Sequence, residues 1–248
     1  MGEMIINEKL TNEVANPFLD GAFVVVDKPL GWTSFDVVNK FRRILSKQIG
    51  TKKIKVGHAG SLDPLATGVV VVCTGKYTKR IEEVMASPKV YIATMVLGAT
   101  TPTYDKESEV NATFPNAHIT EELLRDILPQ FIGIIKQVPP IFSAVKVNGE
   151  RAYKLARRGE EAQLSAKDIN VYDIELLDFD FPEAKLRITC GKGTYIRALA
   201  RDIGEALDSG AYLSSLRREC VGNFFAENGI KVEDFKTYIE SRIEEYNG

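Results

Sequence analysis

Twelve residues constrain this chain more than any other stretch: Gly57-His58-Ala59-Gly60-Ser61-Leu62-Asp63-Pro64-Leu65-Ala66-Thr67-Gly68. They concentrate three glycines, one of only two histidines and a single carboxylate immediately before the apolar run Val69 to Cys73. Glycines at 57, 60 and 68 permit positive φ and close main-chain approach, which suits a loop held against a ligand. Pro64 disfavours the α region for Asp63, so the carboxylate falls on an extended residue between Leu62 and Leu65, which can anchor the loop in a core. Spacing alone leaves two readings open. Asp63 either caps a backbone amide in a tight turn or is a rigidly mounted functional carboxylate.

With 248 residues and 44% hydrophobic content, the chain can bury the core of one large domain or two smaller ones. Apolar runs such as Val69 to Cys73 are far too short to cross a bilayer, and Met1 to Asp20 lacks the basic start and long apolar middle of a secretion signal, so a cytoplasmic location is expected. Cys73, Cys190 and Cys220 are widely spaced and form no C-x-x-C pair, which suggests neither a disulfide framework nor a thiolate zinc site. With His58 and His118 as the only histidines, a histidine-rich metal centre is nearly excluded. The chain has no P-loop, no dinucleotide fingerprint and no Gly-x-Ser-x-Gly elbow.

The net charge is only −2, yet the charges are unevenly distributed. Lys28 to Arg80 holds eleven Lys/Arg against two acids, Ser143 to Arg158 five against one, and Lys185 to Arg201 five against none. A basic face on a nearly neutral molecule is the pattern of a nucleic-acid binder, and a solvated surface is the alternative.

Along the chain, Ala22 to Val26 reads as a buried strand, and Thr33 or Ser34 can cap a helix to about Gln48 with Val37, Val38, Phe41, Leu45 and Ile49 inward. Lys40, Arg42, Arg43 and Lys47 fall mostly off that stripe. Val69 to Cys73 is a strand, a short helix starts at Thr78, and Val90 to Leu97 alternates with both faces largely buried. A polar connection containing Thr101, Thr103 and Asp105 leads to a helix from Thr120. Arg151 to Arg158 is helix-like and interleaves Tyr153 with Lys154, Arg157 and Arg158, which suits phosphate contacts. Two strands, Val171 to Phe181 and Ala184 to Cys190, precede the turn Gly191-Lys192-Gly193, after which Thr194 can cap a helix. Arg197 then stands in a first helical turn, where the dipole disfavours a cation, so a nearby anion is expected. Val232 to Tyr246 closes the chain as an amphipathic helix.

Taken together, Lys28-Pro29-Leu30-Gly31-Trp32-Thr33-Ser34, the loop Gly57 to Gly68, Pro139-Pro140 through Ser143-Ala144-Val145-Lys146, Gly193-Thr194-Tyr195-Ile196-Arg197, and Leu216-Arg217-Arg218 with Gly222-Asn223-Phe224 resemble the motifs of TruB-type tRNA pseudouridine synthases. The resemblance runs from Phe23 to Phe224 in the family's order. It implies an α+β pseudouridine-synthase fold with a central mixed, mainly antiparallel sheet. It also implies isomerisation of uridine to pseudouridine at position 55 in the T loop of tRNA, with no cofactor and no metal. Asp63 matches the family's catalytic aspartate, Tyr91 its active-site tyrosine and Arg197 the arginine that pairs with the aspartate. Lys28, His58, Tyr195 and Lys146 match positions near the RNA or supporting the site, and Arg157 joins them as an RNA contact. The expected organisation is an N-terminal extension (1–20), a catalytic domain (21–226) containing an RNA-gripping segment (139–159), and a C-terminal helix (227–248) without the PUA-type domain of many bacterial members. tRNA, through its T stem-loop, is the expected partner, with no membrane and no obligate protein partner.

The residue chemistry agrees with that reading. Breaking a glycosidic bond and rejoining the base through carbon needs a group that captures sugar or base while the ring turns, which is work for an ionised carboxylate. An arginine beside Asp63 would keep it charged. Tyr91 offers a flat face to an extruded uracil and a hydroxyl for hydrogen bonding or proton transfer. Two departures from the family pattern stand out: Ser61 replaces a threonine, and Tyr77 stands where a small residue is common.

Overall fold

A computed structural model of the protein describes residues 5–6, 17–50, 54–147, 149–160 and 163–240. It divides into two compact units, Met1–Lys89 with Arg217–Gly248, and Val90–Leu216. Strands and helices make an α+β protein whose strand pairings are mixed and mainly antiparallel, as expected. Among the described residues no helix is long and apolar enough to cross a membrane.

The first unit is built on the strand Ala66–Thr74, whose residues Gly68 to Thr74 are all buried. It pairs antiparallel with Phe23–Lys28 and with Val56–His58. The opening residues of the glycine loop are therefore strand, not loop. Phe23–Lys28 also takes two parallel neighbours, Ile5–Ile6 and Ile230–Lys231. Phe23, Val25, Val69, Val71, Val84 and Phe224 share one core cluster. Tyr77, the bulky departure, packs its ring 4.8 Å from that of Phe23.

Helix Ser34–Ile49 follows from local signals. Asp36 N–H donates to the Thr33 hydroxyl oxygen at 3.0 Å and Thr33 N–H donates to the Asp36 carboxylate at 2.9 Å, a reciprocal capping box. Gly50, at φ 69°, ends the helix in the left-handed region. Val37, Val38, Phe41 and Leu45 are buried as predicted, and Phe41 packs edge-on against Phe235. Phe235 belongs to the predicted last helix, of which 235–240 is helical and 241–246 lies outside the described residues. The predicted short helix from Thr78 is a 3₁₀ turn, Gly75–Arg80, running into the α-helix Ile81–Ala86.

In the second unit, Lys167–Asp180 pairs antiparallel with both Glu183–Cys190 and Gly133–Gln137. Strand Lys89–Leu97 buries Lys89, Tyr91, Ala93, Met95 and Leu97, while the intervening residues are half-buried, so only one of its faces is fully enclosed. The polar connection closes on itself through a small pair, Ala99–Thr100 with Ala112–Thr113. Helix Ile196–Ala206 starts from Tyr195, not from Thr194 as predicted, because the Thr194 hydroxyl turns back to donate to the Gly191 carbonyl at 3.2 Å.

Candidate active site

In the first unit the Asp63 loop is fixed through its main chain. Leu62 N–H donates to the Ser34 hydroxyl at 2.8 Å, Gly31 N–H donates to the Pro64 carbonyl at 2.8 Å, and Ala66 N–H donates to the carbonyl of Asp63 itself at 3.1 Å. Leu62 is buried, whereas Leu65 and Asp63 are half-buried. Two buried cations complete the mounting. The Lys28 ammonium, fully enclosed, donates to the carbonyls of Trp32 (2.7 Å), Pro29 (3.0 Å) and Pro64 (3.3 Å). The Arg218 guanidinium, 2% exposed, donates to Val69 (2.8 Å), Ser61 (3.2 Å) and Gly60 (3.2 Å).

The glycines divide their work. Gly60 and Gly68 adopt positive φ, 95° and 104°. A Cβ on Gly68 would fall 2.1 Å from the Arg218 carbonyl oxygen, so only glycine fits there. Gly57 does not use positive φ; a Cβ there would lie 2.9 Å from the Ile81 side chain, and its role is close packing.

Burial pushes the Lys28 ammonium down to about 8, with the Asp63 carboxylate opposing the shift and Arg218 adding to it. Burial also holds the His58 imidazole below its ordinary value, opposed by a backbone hydrogen bond at Gly60 and reinforced by Arg218. His58 is thus neutral near pH 7, and its buried Nδ1 has no hydrogen-bond partner among the described residues. Below pH 8 or so Lys28 is charged in both folded and unfolded chains, so its burial cost is constant. Between about 8 and the ordinary 10.5 the folded chain releases a proton that the unfolded chain keeps, and stability rises with pH across that window. Wild type should therefore gain on the order of 2–3 kcal/mol relative to Lys28→Met between about pH 7.5 and pH 10. Urea denaturation at the two pH values measures this, and a constant difference would show that the ammonium is not desolvated.

In the second unit, Tyr91 lies on the enclosed face of its strand, 8% exposed. Arg197, 5% exposed, has the anion its helical position calls for: its Nε stands 3.6 Å from the Asp105 carboxylate. It also donates to the carbonyls of Thr103 at 3.1 Å and Phe142 at 3.0 Å. Asp105 is itself held, accepting from the Thr103 hydroxyl at 2.6 Å and from Glu107 N–H at 2.9 Å. Gln137, 1% exposed, brackets Tyr195, accepting from its N–H at 2.9 Å and donating to its carbonyl at 3.2 Å. Asp105 and Gln137 carry no motif signal strong enough to single them out; a short acid in a Thr-rich loop and a polar residue ending an apolar strand are the only hints.

Lys146 is exposed on the small pair Lys146–Val147 with Glu150–Arg151. Arg157 is exposed at the end of helix Ala152–Arg157, 5.6 Å over the Tyr153 ring and 3.6 Å from Glu107. Its neighbour Arg158 is clasped by Glu150 and Glu160, both at 2.6 Å. Part of the basic charge counted in this segment is therefore already neutralised.

The family model described as TruB family pseudouridylate synthase (N terminal domain) matches residues 42–196. The chain belongs to the TruB family. Its relatives include a tRNA pseudouridine synthase B of Phocaeicola vulgatus, 57% identical over 229 residues that cover 92% of this chain and 97% of the relative. A tRNA pseudouridine synthase B of Dehalococcoides mccartyi is 44% identical over 85% of this chain and 68% of its own length. Among solved structures, a chain of a Cbf5-Nop10-Gar1 complex superposes with a TM-score of 0.67 at 30% identity, covering 92% of this chain. The present chain spans 58% of that longer protein.

Proposed function

We infer that the protein isomerises uridine to pseudouridine at position 55 in the T loop of tRNA. The observation that carries the reading is the mounting of Asp63: a half-buried carboxylate on a loop whose main chain is gripped by two buried cations, in a chain of the TruB family. Such preorganisation suits a group that must meet a reacting centre in one geometry. Asp63 captures the substrate while the glycosidic bond breaks and the base rejoins through carbon. Tyr91 offers its ring and hydroxyl to the uracil, and Arg197 supplies a fixed positive charge. Asp105 is the positioning residue for Arg197, supported by the 3.6 Å ion pair and its own two hydrogen bonds.

The uracil must be extruded before reaction, at a cost of about a few kcal/mol that phosphate contacts offset. Lys146 and Arg157, exposed on the 139–159 segment, are the proposed grip on the T stem. Lys28 supports the site from within, because its ammonium is spent on three loop carbonyls. His58, neutral and half-buried at the end of strand Val56–His58, stands at the mouth of the Asp63 loop as a contact to the RNA. Tyr195 supports the turn that presents Arg197.

The test is to incubate the purified chain alone with unmodified tRNA and map pseudouridine by nucleotide. Conversion at position 55 is expected, with neither metal nor cofactor added. Modification elsewhere, or none, would overturn the reading, and activity without added protein also tests the expected independence from a protein partner.

A further inference from the structure

A groove begins at Gly31 and Trp32, beside the mounting of the Asp63 loop, and runs away from it along helix Ser34–Ile49. It is an open groove of about 790 Å³ lined by Gly31, Trp32, Lys40, Arg43 and Lys47, with Asp36 at one end. Lys40, Arg43 and Lys47 are three and four residues apart and so project from one helix face. The Lys40 ammonium lies 5.4 Å over the Trp32 ring. Among the described residues none of the three cations is in an ion pair, unlike Arg157, Arg158, Arg187 and Arg201 of the second unit, which all face carboxylates. The acid in the lining, Asp36, is committed to the Thr33 capping box. The groove thus carries three cations without an ion pair among the described residues against one carboxylate, and it ends on an aromatic ring.

We propose that this groove binds the phosphate backbone of the substrate tRNA away from the modified loop. The inference rests on the tRNA-modifying reading above. Lys40 to Lys47 spans about 10 Å along the helix axis, enough to meet more than one phosphate of an RNA strand. Ser34, which fixes the Asp63 loop, lies at the start of the same helix, and the three cations stand about 9 to 20 Å further along it. A nucleotide reacting at Asp63 does not reach that far, so the groove meets a different part of the same RNA. Three cations on one face suit a polyanion, and the indole flanked by Lys40 adds a surface for a sugar or base.

Two variants test it: Lys40→Gln/Arg43→Gln/Lys47→Gln, and Arg43→Glu/Lys47→Glu, which alters only exposed positions. Binding of unmodified tRNA at several salt concentrations and the single-turnover rate at saturating tRNA are measured for each, with a melting curve to verify folding. The triple variant should bind at least about ten-fold more weakly, with a log-log salt slope shallower by about 2, and the double variant should also weaken binding. The rate at saturation should stay within about two-fold, as expected for contacts that hold RNA remote from the reacting base. Unchanged affinity and slope would overturn the proposal and leave a solvated face or a protein contact. Unchanged affinity with a lower saturated rate would also overturn it, assigning the helix to loop positioning. Should the wild type bind tRNA without forming pseudouridine, the functional reading fails while the affinity comparison still decides the groove.

Discussion

Asp63→Asn should abolish pseudouridine formation on tRNA, with a loss of at least roughly four orders of magnitude, the scale seen when a covalent catalyst's nucleophile is removed. The amide keeps the shape of the side chain and removes its charge and nucleophilicity. The loop's anchors run through the main chain at Leu62, Asp63 and Pro64 and through the side chains of Ser34, Lys28 and Arg218, so the variant should keep its fold. Affinity for tRNA should stay within a few-fold, because phosphate contacts dominate binding and Asp63 supplies none. Nucleotide-resolved mapping and a binding titration on the same preparation measure both quantities. Appreciable turnover by the variant would sink the proposed role.

Arg218→Met is expected to have the largest structural effect. Arg218 is 2% exposed and donates to three carbonyls, those of Gly60, Ser61 and Val69. Methionine fills much of the volume and provides no donor, leaving three enclosed acceptors unpaired. Removing such a charged hydrogen-bonding group costs about 3–5 kcal/mol, which for a domain of this size lowers Tm by roughly 6–20 °C. Arg218→Lys should recover only part of the loss, since an ammonium cannot reproduce the guanidinium's fork. Thermal unfolding gives the stability change, and amide exchange at Gly60 to Asp63 reports whether the loop loosens. Melting within about 1 °C of wild type would show that the clamp is not what holds the loop.

The parts of the fold that were legible in the sequence are those governed by neighbours along the chain. Helix Ser34–Ile49 is specified by Thr33, Asp36 and the spacing of its buried residues, and the helix expected from Thr120 starts there, with Thr120 as its cap. The strand Ala66–Thr74 shows in its apolar run, and Gly68 shows as a glycine, although the sequence does not say that its missing Cβ makes room for the Arg218 backbone. Arg197 was readable as a cation in want of an anion, and the family resemblance named Asp63 for it, but nothing pointed to the ion pair with Asp105. Asp105 is 92 residues away, and no local pattern links the two.

The sequence by itself therefore determined the Asp63 loop, its bordering strand, the helix that braces it and, through the motifs of the TruB family, the reaction. Tertiary structure alone decided what holds these pieces still: Arg218 on Gly60, Ser61 and Val69, Lys28 on Pro64, Gln137 on Tyr195 and Asp105 on Arg197. The physical reason is range. Capping, φ preference and hydrophobic period act over a few residues and leave a trace in composition. A buried cation or amide is instead satisfied by whichever carbonyl or carboxylate the folded topology delivers to it, and that partner can lie anywhere in the chain.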